Sequence, residues 1–157
     1  MATDKRALAI VIAAAIAAPA EGLRTMAYKD PVGITTICYG STAGVKMGDR
    51  KDVHECMALL SKEMGDAVRQ VDACVPDLPV GVLAAFSDAV YNLGPKIACN
   101  TRVSTAARML KAGDLKGACG QLPRWNKAEV LPTVFVALPG LTTRRAREME
   151  ICLKDVT

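Results

Sequence analysis

The chain has 157 residues, a length suited to one domain with a sizeable core. Hydrophobic residues make up 51% but aromatics only 4%, so the core must be built from Ala, Val, Leu, Ile and Met. The net charge of +4 fits either a solvated surface or weak attraction to an acidic polymer, and no basic run with interleaved aromatics points to nucleic acid.

The N-terminal stretch Met1–Arg6 is polar and ends on Lys5 and Arg6. Ala7 to Ala20 then reads ALAIVIAAAIAAPA. Three readings compete. A charged start, a short apolar run and the A-x-A-like Ala18-Pro19-Ala20 describe a cleaved export signal. A membrane span is the second, although fourteen helical residues cover only about 21 Å of a ~30 Å hydrocarbon layer. The third is an Ala-rich helix of the folded domain, since Ala is the best helix former.

Glu21 to Gly40 follows, EGLRTMAYKDPVGITTICYG. Asp30-Pro31-Val32-Gly33 has the residues of a type I turn: Asp first, Pro second, Gly fourth. Ile34 to Tyr39 is mostly β-branched or aromatic, as a strand prefers. A fold-back here would bring Glu21, Asp30 and the Thr36 hydroxyl onto one small surface. Two carboxylates and a hydroxyl suit glycoside hydrolysis: one acid protonates the leaving oxygen and the other carboxylate works from the opposite face. Such a trio also occurs by chance in many proteins.

Ser41 to Arg50, with Gly44 and Gly48, is expected to continue a small sheet. Asp52-Val53-His54-Glu55 reads as a capping box. It opens a long helix with Leu59, Leu60, Met64, Ala67, Val68 and Val71 at helical spacing. His54 falls in its first turn and is read as a surface residue. A second helix spans Gly81 to Asn92 and stops at Gly94-Pro95. Asn92 is read as a hydrogen-bonder at its end or as a substrate contact. Further helices are expected over Thr101–Ala112 and Leu115–Leu122. The lone Trp125 is assigned to packing rather than sugar stacking. Asn126 to Gly140 is expected to be a Pro-containing loop with an apolar patch, Val134-Phe135-Val136. Thr142 or Thr143 would cap a last helix over Arg144–Leu153.

Six cysteines stand at Cys38, Cys56, Cys74, Cys99, Cys119 and Cys152, with no CxxC pair and a single histidine, which argues against zinc. No metal and no cofactor is expected. Disulfides in an oxidising compartment are the better reading, against six free thiols in a reducing one. Six cysteines allow fifteen pairings. The expected ones are Cys38–Cys56, Cys74–Cys99 and Cys119–Cys152, because each pair flanks a segment that should fold as a hairpin-like unit.

The residue order E-x8-D-x5-T followed by I-x-Y-G, within the words EGLR, AYKDPVG and TTICYG, resembles the phage-type lysozymes, glycoside hydrolase family 24. The string F-x-x-x-x-Y-N-x-G from Phe86 to Gly94 and G-L-x-x-R-R-x-x-E from Gly140 to Glu148 extend the resemblance from about Glu21 to Cys152. One position departs from the pattern: Cys38 stands where the family usually has Gly.

The resemblance implies an α+β, mainly helical, lysozyme-like fold. A small β-containing lobe, about 21–52, would join a helical lobe, about 53–157, through a long helix. It implies a peptidoglycan muramidase in which Glu21 is the general acid. Asp30 and Thr36 would hold the attacking water, with inversion at the anomeric carbon. Arg144 or Arg145 would pair with Glu21. Residues 1–20 resemble the signal-anchor-release segment of phage endolysins, an export signal held in the inner membrane and then freed to form the first helix in the periplasm. The expected partners are peptidoglycan and, transiently through residues 7–20, the inner membrane. The expected state is a monomer of phage or prophage origin. Two alternatives stay open: a lytic transglycosylase, and a non-catalytic, disulfide-stapled envelope protein that binds glycan.

Overall fold

The middle of the chain forms the middle of the molecule. Helix α3, Val80–Leu93, is apolar around most of its circumference, and every residue from Gly81 to Val90 is buried, Asp88 included. A helix of that kind must be surrounded. In this computed structural model, which describes residues 2–156, it is flanked by α1 (Ala2–Glu21), α2 (Val53–Cys74) and α7 (Pro139–Lys154). Met1 and Thr157, the outer ends of the expected segments 1–20 and 21–157, lie outside the described residues. The remaining elements are the strands β1 (Arg24–Lys29) and β2 (Thr35–Cys38), and the short helices α4 (Lys96–Cys99), α5 (Thr105–Ala112) and α6 (Leu115–Gln121). A 3-10 turn, Leu122–Arg124, leads to strands β3 (Lys127–Leu131) and β4 (Val134–Ala137). This is the mainly helical, lysozyme-like α+β architecture expected.

Helix α1 packs through small side chains. Ala9, Ala13, Ile16 and Ala17 recur one to two turns apart and are buried, while Leu8 and Val11 face outward at 51% and 64% exposure. Helix α2 starts as expected: Asp52 accepts from the Glu55 N–H and Glu55 returns a bond to the Asp52 N–H, each at 2.8 Å. His54 in its first turn is exposed. Helix α7 crosses the start of α3 so closely that a β-carbon on Gly81 would lie 2.8 Å from the Ile151 carbonyl oxygen.

Disulfides join β2 to α2 (Cys38–Cys56), the end of α2 to α4 (Cys74–Cys99), and α6 to α7 (Cys119–Cys152). These are the three expected pairs, and no cysteine is left free.

Four local expectations need correcting. The segment after Cys38 does not extend the sheet; Ser41–Arg50 runs through turns and meets the strands at the isolated bridges Met26–Arg50 and Ile37–Ser41. Helix α5 starts at Thr105, not Thr101. The Ser104 hydroxyl donates to the Ile97 carbonyl and accepts from the Ala107 N–H, and so sets the boundary. The last helix starts at Pro139, its ring suited to the first helical position, and uses no threonine cap. The expected loop 126–140 is a second hairpin, β3–β4. Its strands close around Pro132-Thr133, with Leu131 opposite Val134 and Thr133 at φ 65°. The proline that reads as a breaker is the first residue of the turn.

Candidate active site

Glu21 is the last residue of α1. The helix stops there because Gly22 takes φ 74° and returns its N–H to the Ala18 carbonyl. The Glu21 side chain is 24% exposed, and its Oε1 accepts from Arg144 Nη1 at 2.6 Å. On the other side stands Gly40, at the end of the first hairpin. A β-carbon there would sit 3.2 Å from Glu21 Oε2, a tight contact, and φ at Gly40 is 94°, a conformation that favours glycine. Glu21, Gly40, Thr42, Ala43, Glu63, Tyr91 and Asn92 line an open cleft of about 480 Å³.

The hairpin β1–β2 carries the other two expected site residues. Asp30 closes the turn as anticipated: its carbonyl accepts from the Gly33 N–H, and its Oδ1 accepts from the N–H groups of Val32 and Ile34 at 3.0 and 2.8 Å. Thr36, 4% exposed, pairs with Tyr28 across the hairpin and donates its hydroxyl to the Ile34 carbonyl at 3.0 Å. Asp30 and Thr36 thus share the hairpin that ends against Glu21, but neither lines the cleft that holds it. Cys38, at the end of β2, takes φ 61°, the left-handed conformation that suits the glycine usual in the family. Its side chain is used in the bond to Cys56, which ties the hairpin to α2.

Behind Glu21 lies a buried network of charges. Arg144 reaches Asp88 through Nε and Nη2 at 2.9 and 2.7 Å, a bidentate pair, while its Nη1 holds Glu21. Burial opposes the Arg144 charge, but Asp88 and Glu21 outweigh it and raise its pKa above the ordinary arginine value. Arg145, fully buried, bonds Asn92 Oδ1 at 2.9 Å and lies 2.7 Å from Glu148 Oε1. Burial lowers the Arg145 pKa. Burial, with Asp88 beside it, raises the Glu148 carboxyl well above the usual carboxylate range despite the attraction of Arg145. Glu21, Asp88 and Glu148 face Arg144 and Arg145.

Of the two arginines proposed for Glu21, Arg144 is the one in contact, and Arg145 serves Asn92 and Glu148. Asn92 therefore bonds structurally and also lines the cleft. Trp125 packs against the core, with Lys96 Nζ 5.8 Å from its ring centre. Asp88 and Glu63 escaped the sequence reading, and Tyr91 was read only as part of the string from Phe86 to Gly94. Asp88 had a legible signal, a lone carboxylate in an otherwise apolar helix, which demands a partner. Glu63 and Tyr91 enter the cleft together: the Tyr91 hydroxyl donates to the Tyr39 carbonyl at 3.1 Å and lies 3.5 Å from Glu63 Oε2. Burial, then the Glu63 charge, raises the tyrosine pKa. Nothing local marked Glu63, since a glutamate on an amphipathic helix ordinarily faces water.

A mainly helical fold with two small hairpins, in which a glutamate closing the first helix is backed by an arginine and faces a cleft, defines a lysozyme-like protein. The phage lysozyme family model matches residues 18–148, and the chain belongs to that family. It is 39% identical over 135 residues to the SAR-endolysin of Enterobacteria phage P21, covering 85% of this chain and 77% of that one. With the SAR-endolysin of Pseudomonas phage phiKMV it shares 38% over 149 residues, 94% of this chain and 89% of the other. The active form of the P1 phage endolysin Lyz superimposes with a TM-score of 0.79 at 26% identity, covering 93% and 85% of the two chains.

Proposed function

We propose that this endolysin is a muramidase that cuts the β-1,4 bond between N-acetylmuramic acid and N-acetylglucosamine, with Glu21 as general acid. That it hydrolyses peptidoglycan follows from its family and its endolysin relatives. The bond cut and the residue roles are the present reading. The observation that carries it is Glu21 at the end of α1, its Oε1 held by Arg144 and its carboxyl facing a 480 Å³ cleft. Glu21 delivers its proton to the leaving glycosidic oxygen. Arg144 and Gly40 limit where that carboxyl can point.

Asp30 and Thr36 hold the water. The Thr36 hydroxyl spends its hydrogen on the Ile34 carbonyl, so its oxygen is left to accept from a water. Asp30 Oδ1 is occupied by two backbone N–H groups, and Oδ2 accepts the second water hydrogen. As the glycosidic bond breaks, a water so held bonds the anomeric carbon from the face opposite the acid and gives a proton to the Asp30 carboxylate, which inverts that carbon. Glu21→Gln should keep the fold and lower turnover about 10²–10⁴-fold. Product analysis on purified peptidoglycan checks it: reducing N-acetylmuramic acid ends are expected from the unaltered enzyme. Anhydro-sugar products, or near-normal activity in the variant, would remove this mechanism.

Residues 7–20 act first as a transient inner-membrane anchor and then fold as α1 in the periplasm, which completes the acid site. Two observations support this reading: relatives over most of the chain are SAR-endolysins, and α1 leaves Leu8 and Val11 exposed on its outer face. Among the described residues no helix is long and apolar enough to cross a membrane. Fractionation before and after collapse of the membrane potential tests it. The expected result is a shift from membrane to soluble fraction; a protein that stays in one fraction throughout contradicts it.

A further inference from the structure

The hairpin β3–β4 plays no part in the site just described, yet it carries the molecule's densest run of exposed apolar side chains. Val130, Leu131, Val134, Phe135 and Val136 are 51%, 65%, 44%, 61% and 44% exposed. Their placement rules out an ordinary one-sided surface. Phe135 pairs with Glu129 and Val136 with Ala128, and adjacent residues of a strand point to opposite faces. Exposed apolar side chains therefore stand on both faces of the ribbon, Phe135 on one beside Glu129 and Lys127, and Leu131, Val134 and Val136 on the other. A protein partner covers one face of a sheet; a finger with exposed apolar side chains on both faces, and charged ones toward its root, fits a medium that surrounds its tip.

The ends of the ribbon differ in the way a bilayer would select. The tip is Leu131-Pro132-Thr133-Val134. Exposed Arg124 and Lys127 stand at the root, next to Trp125, whose ring lies beneath Lys96. Cationic and aromatic groups below an apolar tip match a headgroup layer over acyl chains, and the positive root complements anionic lipid. Glu129 sets the depth. It is exposed, its Oε1 accepts from the Thr133 N–H, and only Val130, Leu131 and the turn, about 10 Å in all, lie beyond it. That matches the ~5–10 Å to which interfacial elements sink. The outer edges of a two-stranded ribbon also keep unpaired backbone groups, which bars it from the hydrocarbon centre.

We propose that β3–β4 is a shallow membrane wedge that holds the folded enzyme on an anionic lipid surface. The wedge acts in the finished fold and does not require that residues 7–20 ever spanned a bilayer. It would keep a cationic enzyme on the membrane that bounds the compartment of its substrate.

The test is sedimentation of the full, disulfide-bonded chain with phosphatidylethanolamine–phosphatidylglycerol vesicles and with phosphatidylcholine vesicles. The unaltered protein should bind the anionic vesicles more tightly. Leu131→Ser with Phe135→Ser should weaken that binding about tenfold or more, and Lys127→Glu should weaken it on anionic vesicles alone. Hydrolysis of lipid-free sacculi should be unchanged in all three proteins. Emission from Phe135→Trp should shift to the blue on vesicle addition. The proposal is overturned if the unaltered protein does not bind, or if the double variant binds as well as it does. Loss of binding on Leu8→Ser with Val11→Ser instead would assign the contact to α1. Failure of the double variant on lipid-free sacculi would assign the hairpin to the glycan. A concentration-dependent dimer lost in the double variant, without vesicle binding, would assign it to a second copy.

Discussion

The two hairpins of this molecule are built from similar residues and end in opposite conditions. In β1–β2 the second strand is buried: Thr36, Ile37 and Cys38 are 4%, 0% and 1% exposed, and a disulfide bolts the strand to α2. In β3–β4 every residue but Ala128 is exposed, and no cross-link holds it. An isolated two-stranded ribbon is marginally stable, so a hairpin becomes rigid only through what it packs on. The first has α2 behind it and Glu21 at its foot, and can hold a side chain where chemistry needs it. The second is a free projection, suited to contact with something outside the protein.

If that contrast is right, changes behind the first hairpin must be costly and changes on the second mild. The largest effect is expected at Asp88→Asn. It removes the charge that holds Arg144 through two bonds and leaves a buried guanidinium half-paired. Breaking a buried pair costs about 3–5 kcal/mol, to be read from denaturant unfolding. Activity should fall as well, because Arg144 would no longer be fixed against Glu21. A variant as stable and active as the parent would break the comparison.

Next is the first hairpin's bolt. Cys38→Gly with Cys56→Ala opens a loop of sequence separation 18 while leaving a residue suited to φ 61°. The expected loss is about 2–3 kcal/mol, roughly 5–10 °C in Tm, with a larger proportional fall in activity than the loss of folded protein explains.

The buried charges behind the site should also show in the pH dependence of stability. Burial raises the Glu148 pKa in the fold well above the ordinary glutamate value of 4.5. Above that pH the folded chain keeps a proton that the unfolded chain has released, so this residue's contribution is fully present below pH 4.5 and is lost as pH rises. Glu148→Gln cannot titrate. The difference in stability, variant minus parent, should therefore grow with pH above 4.5, by at most about 1.4 kcal/mol per pH unit. Chemical unfolding at several pH values measures it, and a difference that shrinks with pH would reverse the assignment.

The smallest effect belongs to the second hairpin. Thr133 is a β-branched residue at φ 65° in an exposed turn. Thr133→Gly should relieve that strain and raise stability by up to about 1 kcal/mol, with sacculus hydrolysis unchanged. A clear loss of hydrolysis would show that the second hairpin reaches the site after all.

Much of the site region was legible because its determinants are local. Asp30-Pro31-Val32-Gly33 closes a turn through bonds spanning two to four residues, and Asp52 and Glu55 cap α2 through bonds spanning three. Gly22 ends α1 through the adjacent turn. The hairpin 126–140 was missed for a local reason too: Pro132 weakens any strand it interrupts, and only its partner residues reveal it as a turn.

By itself the sequence determined that Asp30 and Thr36 share a hairpin and that a doubled arginine follows in the last helix; that a helix leads into Glu21 was one of three competing readings. It also carried the family. Only the tertiary structure decided which arginine meets Glu21, that Asp88 stands behind it, that Glu63 enters the cleft, and that one hairpin is buried and the other bare. Neighbouring residues on a helix point about 100° apart, so Arg144 and Arg145 look alike in sequence and face different surroundings. The contact between Glu21 and Arg144 spans 123 positions. Its partner was chosen by the rotation at which α7 docks on α3, a property of the whole packed core.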